Sequence, residues 1–252
     1  MRKRAANRPL SVAGRTFERG SAGAAEIDVG EGLGGTRLVV PVRVVAGARP
    51  GPRLALIAGL RGDEVSAIEA VREAAARVAP DRLTGDLLAV PLANVAGFVD
   101  ARRPVRGALE RSFPGDPQGS AAARMAHAVF QAVVRKADLL VVLGAWRAGR
   151  HALPHVRTDI DAPGALPLAV GFGAPLVVHE RGLGGTLVRA ALAEGRAAIL
   201  YHVGVARQLA RDAVDGAVEA IVRLLREFAM LRGLSPRRPR PTVVRRVEEL
   251  RA

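Results

Sequence analysis

The chain has 252 residues, of which 49% are hydrophobic and 25% charged, so it can bury one large core and does not have the composition of a disordered protein. It contains no cysteine, which excludes disulfides and thiolate metal sites and leaves histidines and carboxylates as metal ligands. No apolar stretch has the length of a secretory signal or a membrane span. We therefore expect a cytoplasmic protein without membrane contact.

The net charge is +14, and almost all of the positive charge is arginine, because Lys3 and Lys136 are the two lysines of the chain. A basic excess is typical of proteins that bind polyanions. The chain has one Trp, one Tyr and six Phe, which gives few rings for stacking on bases. We do not expect nucleic-acid binding, and a basic polyanion-binding protein stays open as an alternative.

Predicted strands alternate with predicted helices along residues 1–232. Apolar residues recur at helical spacing from Val65 to Val78, where Pro80 ends the run. This alternation predicts an α/β fold, a three-layer α/β/α domain with a largely parallel central sheet. The other predicted elements are a β-type extension at 1–36, strands at Val39–Val45, Leu54–Ala58, Leu87–Val90, Leu139–Leu143, Leu176–His179 and Ala198–Val203, and helices at Ser120–Lys136, Thr186–Glu194 and Ala206–Leu231.

Residues 233–252 are predicted to form an Arg/Pro-rich tail. Ser235–Pro241 contains three prolines, and proline removes backbone donors and restricts the residue before it. This segment is therefore not expected to be helical.

Five motifs lie in order over most of the chain. They are Gly51-Pro52, Ala58-Gly-Leu-Arg-Gly-Asp-Glu64, Val90-Pro-Leu-Ala-Asn94, Arg111-Ser-Phe-Pro-Gly115 and Ala137-Asp-Leu-Leu-Val141. Together they resemble the motifs of the succinylglutamate desuccinylase/aspartoacylase family of zinc-dependent deacylases. The resemblance implies the zinc carboxypeptidase-like form of the α/β/α fold. Many members of that family also carry a C-terminal β domain, and we expect this chain to be too short to build one.

In that family, two histidines and a glutamate bind zinc, and a second glutamate is the general base. By this resemblance Glu64 keeps the glutamate ligand position, while Arg61 and Gly144 stand at the two histidine positions and His202 stands at the position of the base. A guanidinium has no lone pair to offer a metal. We therefore expect no zinc and no other cofactor.

A buried Glu64 without zinc would be an uncompensated negative charge, which is costly. The sequence thus predicts an ion pair between Arg61 and Glu64.

The family binds the substrate carboxylate with arginines. The resemblance implies Arg111 and Asn94 as substrate-binding residues, with Arg103 or its neighbour Arg102 in the first arginine position. Arginine can hold a carboxylate without any metal. A small anionic ligand is therefore one expected partner, and a protein partner is the other.

The sequence as a whole indicates a degenerate member of the family, without zinc-dependent amide hydrolysis, that is retained for binding or partner contact. One alternative is an active hydrolase, either with relocated ligands (Glu64 and His202 with His151 or His155) or with His202 as base in metal-free chemistry. The sequence does not predict an oligomeric state.

Overall fold

The computed structural model describes residues 9–31, 35, 37–99, 109–147, 153–181, 185–235 and 239–245. Within these residues the chain forms an α/β fold. Its helices are α1 Val65–Ala76, α2 Val95–Val99, α3 Ala121–Ala132, α4 Ala165–Phe172, α5 Leu187–Ala193 and α6 Arg211–Glu227. Its strands are β1 Leu10–Val12, β2 Arg15–Phe17, β3 Ser21–Glu31, β4 Arg37–Ala46, β5 Arg49–Ala58, β6 Thr84–Val90, β7 Leu139–Trp146, β8 His155–Thr158, β9 Leu176–His179, β10 Ala197–Val205 and β11 Thr242–Val244.

Nine strands form one sheet in the order β11-β9-β8-β10-β7-β5-β6-β4-β3. The central strands β10, β7, β5 and β6 are parallel to one another. Strand β8 is antiparallel to β10, and β4 is antiparallel to both β6 and β3. The sheet is thus parallel at its centre, where four of the six predicted strands lie, and mixed toward its sides.

Helices cover both faces of this sheet, which confirms the three-layer prediction. Alternate residues of one strand point to opposite faces. Ala55 and Ile57 of β5 pack in one buried cluster with α3 and α5, whereas Leu54 and Leu56 pack in another with α1, α4 and α6.

Helices α3 and α5 begin one residue after Ser120 and Thr186, the predicted starts of these helices, and both residues cap them. The Ser120 hydroxyl accepts a hydrogen bond from Ala123 N at 3.3 Å, and the Thr186 hydroxyl accepts one from Arg189 N at 3.4 Å. Each hydroxyl satisfies an amide that has no partner in the first helical turn.

Helix α6 begins later than predicted, because the backbone amides before it donate hydrogen bonds to the end of β7 and to the loop after β5. Ala206 N donates to Trp146 O at 2.7 Å, and Arg207 N donates to Asp63 O at 2.8 Å. At the other end, Ala229 has a left-handed φ of 53°, which ends the helix.

Short elements account for most of the other differences. The sequence analysis did not identify α4, β8 or β11, and β11 lies within the Arg/Pro-rich tail, where it pairs with β9 in parallel. Over the described part of the chain, the structure contains no helix with the length and apolar character needed to cross a membrane.

Candidate functional site

The carboxyl ends of β5, β7 and β10 meet at one edge of the sheet. His202 of β10 is in register with Gly144 of β7, and Leu143 is in register with Ala58, the last residue of β5. The loop after β5 carries Arg61 and Glu64 to this edge. The ends of parallel strands are a usual place for a binding site in open α/β sheets, and here they collect four predicted site positions.

Glu64 is buried, with 4% of its surface exposed. It is the N-cap residue of α1, but its side chain makes no capping hydrogen bond to the helix. Its carboxylate accepts hydrogen bonds from Arg61 N at 3.1 Å and from Ala145 N at 3.2 Å. Burial raises the pKa of Glu64 to about 7, against the opposing effect of the Arg61 charge.

The predicted ion pair between Arg61 and Glu64 is present. Arg61 Nη2 lies 3.5 Å from Glu64 Oε1, and the same nitrogen donates to the Ala145 carbonyl at 2.8 Å. Arg61 Nε also donates to Asp63 Oδ1 at 3.3 Å. The guanidinium is therefore fixed beside Glu64 by three acceptors.

Gly144 separates Glu64 from His202. A Cβ atom at Gly144 would lie 3.2 Å from Glu64 Oε1 and 3.2 Å from His202 Cδ2. These distances are shorter than ordinary van der Waals contacts, so a larger side chain at this position would have to displace one of its neighbours.

His202 packs against Trp146, with ring centroids 4.1 Å apart, and Trp146 also contacts His155 at 5.3 Å. The Nδ1 atom of His202 is buried and has no hydrogen-bond partner among the described residues. Burial, together with the neighbouring charges of Arg157, His155 and Arg61, lowers the pKa of His202 to about 3. His202 is therefore a neutral imidazole at neutral pH.

We expect His202 to make the protein less stable in acid. The unfolded chain binds a proton at His202 near pH 6.5 and the folded chain only near pH 3, so stability is lost as the pH falls through this window. Between about pH 7 and pH 4 the wild type should lose about 1–3 kcal/mol more unfolding free energy than His202→Gln, measured by urea denaturation. Parallel pH dependence of the two proteins would contradict this assignment.

The pocket between these residues is small, with a free volume of about 30 Å³. This is far below the roughly 300–1,000 Å³ of a typical small-molecule site. The residues around it include Glu110, whose charge also raises the pKa of Glu64.

Of the predicted substrate-binding residues, Asn94 and Arg111 do not line this pocket. The Asn94 side chain donates to Leu60 O at 3.1 Å and accepts from Gly97 N at 2.8 Å, so it holds two backbone segments. Arg111 is exposed and does not line the pocket. Arg102, Arg103 and His151 lie outside the described residues, and the roles assigned to all of these residues stay predictions.

The residues around Glu64 do not fit a catalytic zinc, which needs three protein ligands and an open position. Among the described side chains, Glu64 belongs to no group of three metal-ligating residues whose ligand atoms lie within 4.8 Å of one another. His155 and His202, the relocated ligands suggested from the sequence, therefore do not form such a group with Glu64. The nearest charged nitrogen is that of Arg61, which has no lone pair for a metal.

A different group, Asp159, Asp161 and His179, has ligand atoms close enough to hold a metal ion. Asp159 and Asp161 follow β8, and His179 is the last residue of β9. Both strands run opposite to β10, so the group lies at the edge of the sheet opposite Glu64. Arg181 pairs with both carboxylates, and His179 Nδ1 accepts from Ile160 N at 3.2 Å. This group was not predicted from the sequence, although the spacing of Asp159 and Asp161 is a weak signal of a metal site.

A model of the succinylglutamate desuccinylase/aspartoacylase catalytic domain matches residues 50–228. The chain belongs to this family. The match begins at β5 and includes the loop of Arg61 and Glu64, Gly144 and His202. Family membership therefore covers the whole candidate site.

Similar proteins agree with this assignment. The chain is 34% identical over 151 residues to an N-alpha-acetyl-L-2,4-diaminobutyric acid deacetylase of Halomonas elongata, a match that covers 56% of this chain and 43% of the deacetylase. The chain thus spans less than half the length of this curated relative.

Solved structures of relatives share the fold. The product-bound ectoine utilization protein EutE (DoeB) of Ruegeria pomeroyi has a TM-score of 0.80 at 21% identity and covers 96% of this chain and 77% of its own. A succinylglutamate desuccinylase/aspartoacylase of Rhodobacter sphaeroides has a TM-score of 0.72 at 24% identity, over 84% and 66% of the two chains. At these identities the likeness establishes the zinc carboxypeptidase-like α/β/α fold.

Proposed function

We propose that this family member lacks zinc-dependent amide hydrolysis and is retained for binding or for contact with a partner. The observation that carries the proposal is the guanidinium of Arg61 beside Glu64, 3.5 Å from the one carboxylate that stands at a family ligand position. A cation there neutralises Glu64 and repels a second cation.

Two further observations support the proposal. Gly144 offers no ligand atom, and the contacts of its Cβ position leave no free space for one. The pocket beside it, of about 30 Å³, is far smaller than a typical small-molecule site, whereas hydrolysis requires room for a water and an acyl group together. His202, at the position of the base, is packed against Trp146.

Metal analysis of the purified chain tests the proposal, together with a hydrolysis assay on the amide named for the Halomonas relative, Nα-acetyl-L-2,4-diaminobutyric acid. We expect less than roughly 0.1 zinc per chain and no hydrolysis above background, with or without added zinc. Hydrolysis of this amide, or about one tightly held zinc per chain bound through Glu64, would overturn the proposal.

Two variants would then locate the ion. Loss of the zinc in Glu64→Gln but not in His179→Gln would place it in the cleft, as in an active hydrolase with relocated ligands. The reverse result would place it with Asp159 and Asp161 at the other edge.

A further inference from the structure

A second cavity, of about 620 Å³, lies at the edge of the sheet opposite Glu64. Its lining residues come from the start of β5, the segment before β6 and the C-terminal ends of α1 and α6. Helix α1 has twelve residues and is therefore about 18 Å long, which separates this cavity from the candidate site. We call it the arginine cleft, after its five arginines, Arg49, Arg77, Arg82, Arg226 and Arg232.

The arginine cleft carries a large excess of positive charge. Asp81 is the one acidic residue among its lining residues. Arg77 has a carboxylate neighbour in Glu73, at 3.5 Å. That carboxylate is already occupied, because it accepts hydrogen bonds of 2.6 and 2.7 Å from Arg211.

The other arginines are also uncompensated. Arg49 is held by neutral acceptors, the Thr84 hydroxyl at 3.1 Å and the Arg82 carbonyl at 3.4 Å, which fix its guanidinium without cancelling its charge. Within the described part of the chain, Arg82, Arg226 and Arg232 form no ion pair, and Arg226 Nε is buried without a hydrogen-bond partner. Donors of this kind favour an anionic ligand.

We propose that the arginine cleft binds a small multivalent phosphate anion of the pyrophosphate or tripolyphosphate class. Guanidinium forks match phosphate oxygens, and a concave site lined by one sign of charge concentrates the potential. The volume is that of a small-molecule site. None of the described lining residues is aromatic, so the cleft offers no ring on which a base would stack. This site is independent of the function proposed for the Glu64 cleft.

Titration calorimetry of the full chain with inorganic tripolyphosphate tests this proposal. We expect one saturable site per chain, weakened about tenfold or more in Arg82→Gln/Arg232→Gln. Both side chains are exposed, so their replacement should leave the fold intact. Raising the ionic strength from about 0.1 M to about 0.3 M should also weaken binding.

The matched control is Arg43→Gln/Arg240→Gln, which removes the same charge from exposed positions outside the cleft. It should weaken binding less than about twofold. Equal weakening in both double variants, or no saturable binding by the wild type, would overturn the proposal. So would a single-stranded oligonucleotide that competes with tripolyphosphate and binds more than about tenfold tighter, because the partner would then be a nucleic acid.

Discussion

Replacing Arg61 by methionine should lower the free energy of unfolding by about 2–4 kcal/mol at about pH 8.5. Methionine retains the apolar volume but removes the charge 3.5 Å from Glu64. The buried carboxylate would then retain only its two backbone donors, Arg61 N and Ala145 N. We place the effect below that of a fully buried pair, because 22% of the Arg61 side chain is exposed.

The loss should shrink in acid. Burial already raises the pKa of Glu64 to about 7, and the Arg61 charge opposes that rise. Without the charge the pKa rises further, so Glu64 of both folded proteins is protonated near pH 5 and the ion pair no longer distinguishes them. The remaining loss, about 0.5–1.5 kcal/mol, is that of the hydrogen bond to Ala145 O.

Urea denaturation of the wild type, Arg61→Met, Glu64→Gln and the double variant at both pH values isolates the interaction between Arg61 and Glu64. Adding Glu64→Gln to Arg61→Met should recover most of the loss at about pH 8.5, because no buried charge is left unpaired. An Arg61→Met variant that loses the same stability at both pH values, or that Glu64→Gln does not rescue, would show that the pair is not the source of the effect.

Asp86→Ala should destabilise the fold by about 3–5 kcal/mol. Asp86 is 2% exposed and accepts hydrogen bonds from Arg19 Nη1 at 2.6 Å and from Arg53 Nη2 at 2.9 Å. Its removal leaves two partly buried guanidinium groups without their carboxylate. The midpoint of urea denaturation should fall accordingly, with little change in its slope.

Asp28→Ala is the matched control for Asp86→Ala. Asp28 also pairs with an arginine, Arg37, at 3.0 Å, but the two side chains are 57% and 65% exposed. Exposed pairs contribute little, so this variant should lose much less stability than Asp86→Ala. Similar losses in the two variants would mean that burial does not determine the strength of these ion pairs.

The sequence predicted the centre of the fold because its signals there are local and repeated. Helix α1 follows from apolar residues at helical spacing, and β7 from a wholly apolar run. Helix α4 was missed because it is apolar on all sides and contains Pro167. That proline lies in the first turn, where the backbone amides have no helical partner to lose.

The candidate site was predictable to the level of position. Each of Glu64, Gly144 and His202 could be placed at the carboxyl end of a strand, and parallel strands bring such ends together. The packing of Trp146 on His202 and the structural bonds of Asn94 depend on side-chain directions that a sequence pattern does not contain. The arginine cleft had no sequence signal, since Arg49, Arg77 and Arg226 meet only through the tertiary fold.

Strand β11 gives the Arg/Pro-rich segment a structural role that its composition does not predict. An unpaired strand edge is a template for self-association. Thr242–Val244 pair with β9 along one side, so the sheet ends in three residues preceded by Pro241 and flanked by Arg240 and Arg245. A short strand beside a proline and like charges is poorly suited to accept a neighbour. The β11 edge is therefore a poorer site for pairing with another copy of the chain than the longer edge strand β3 at the other side of the sheet.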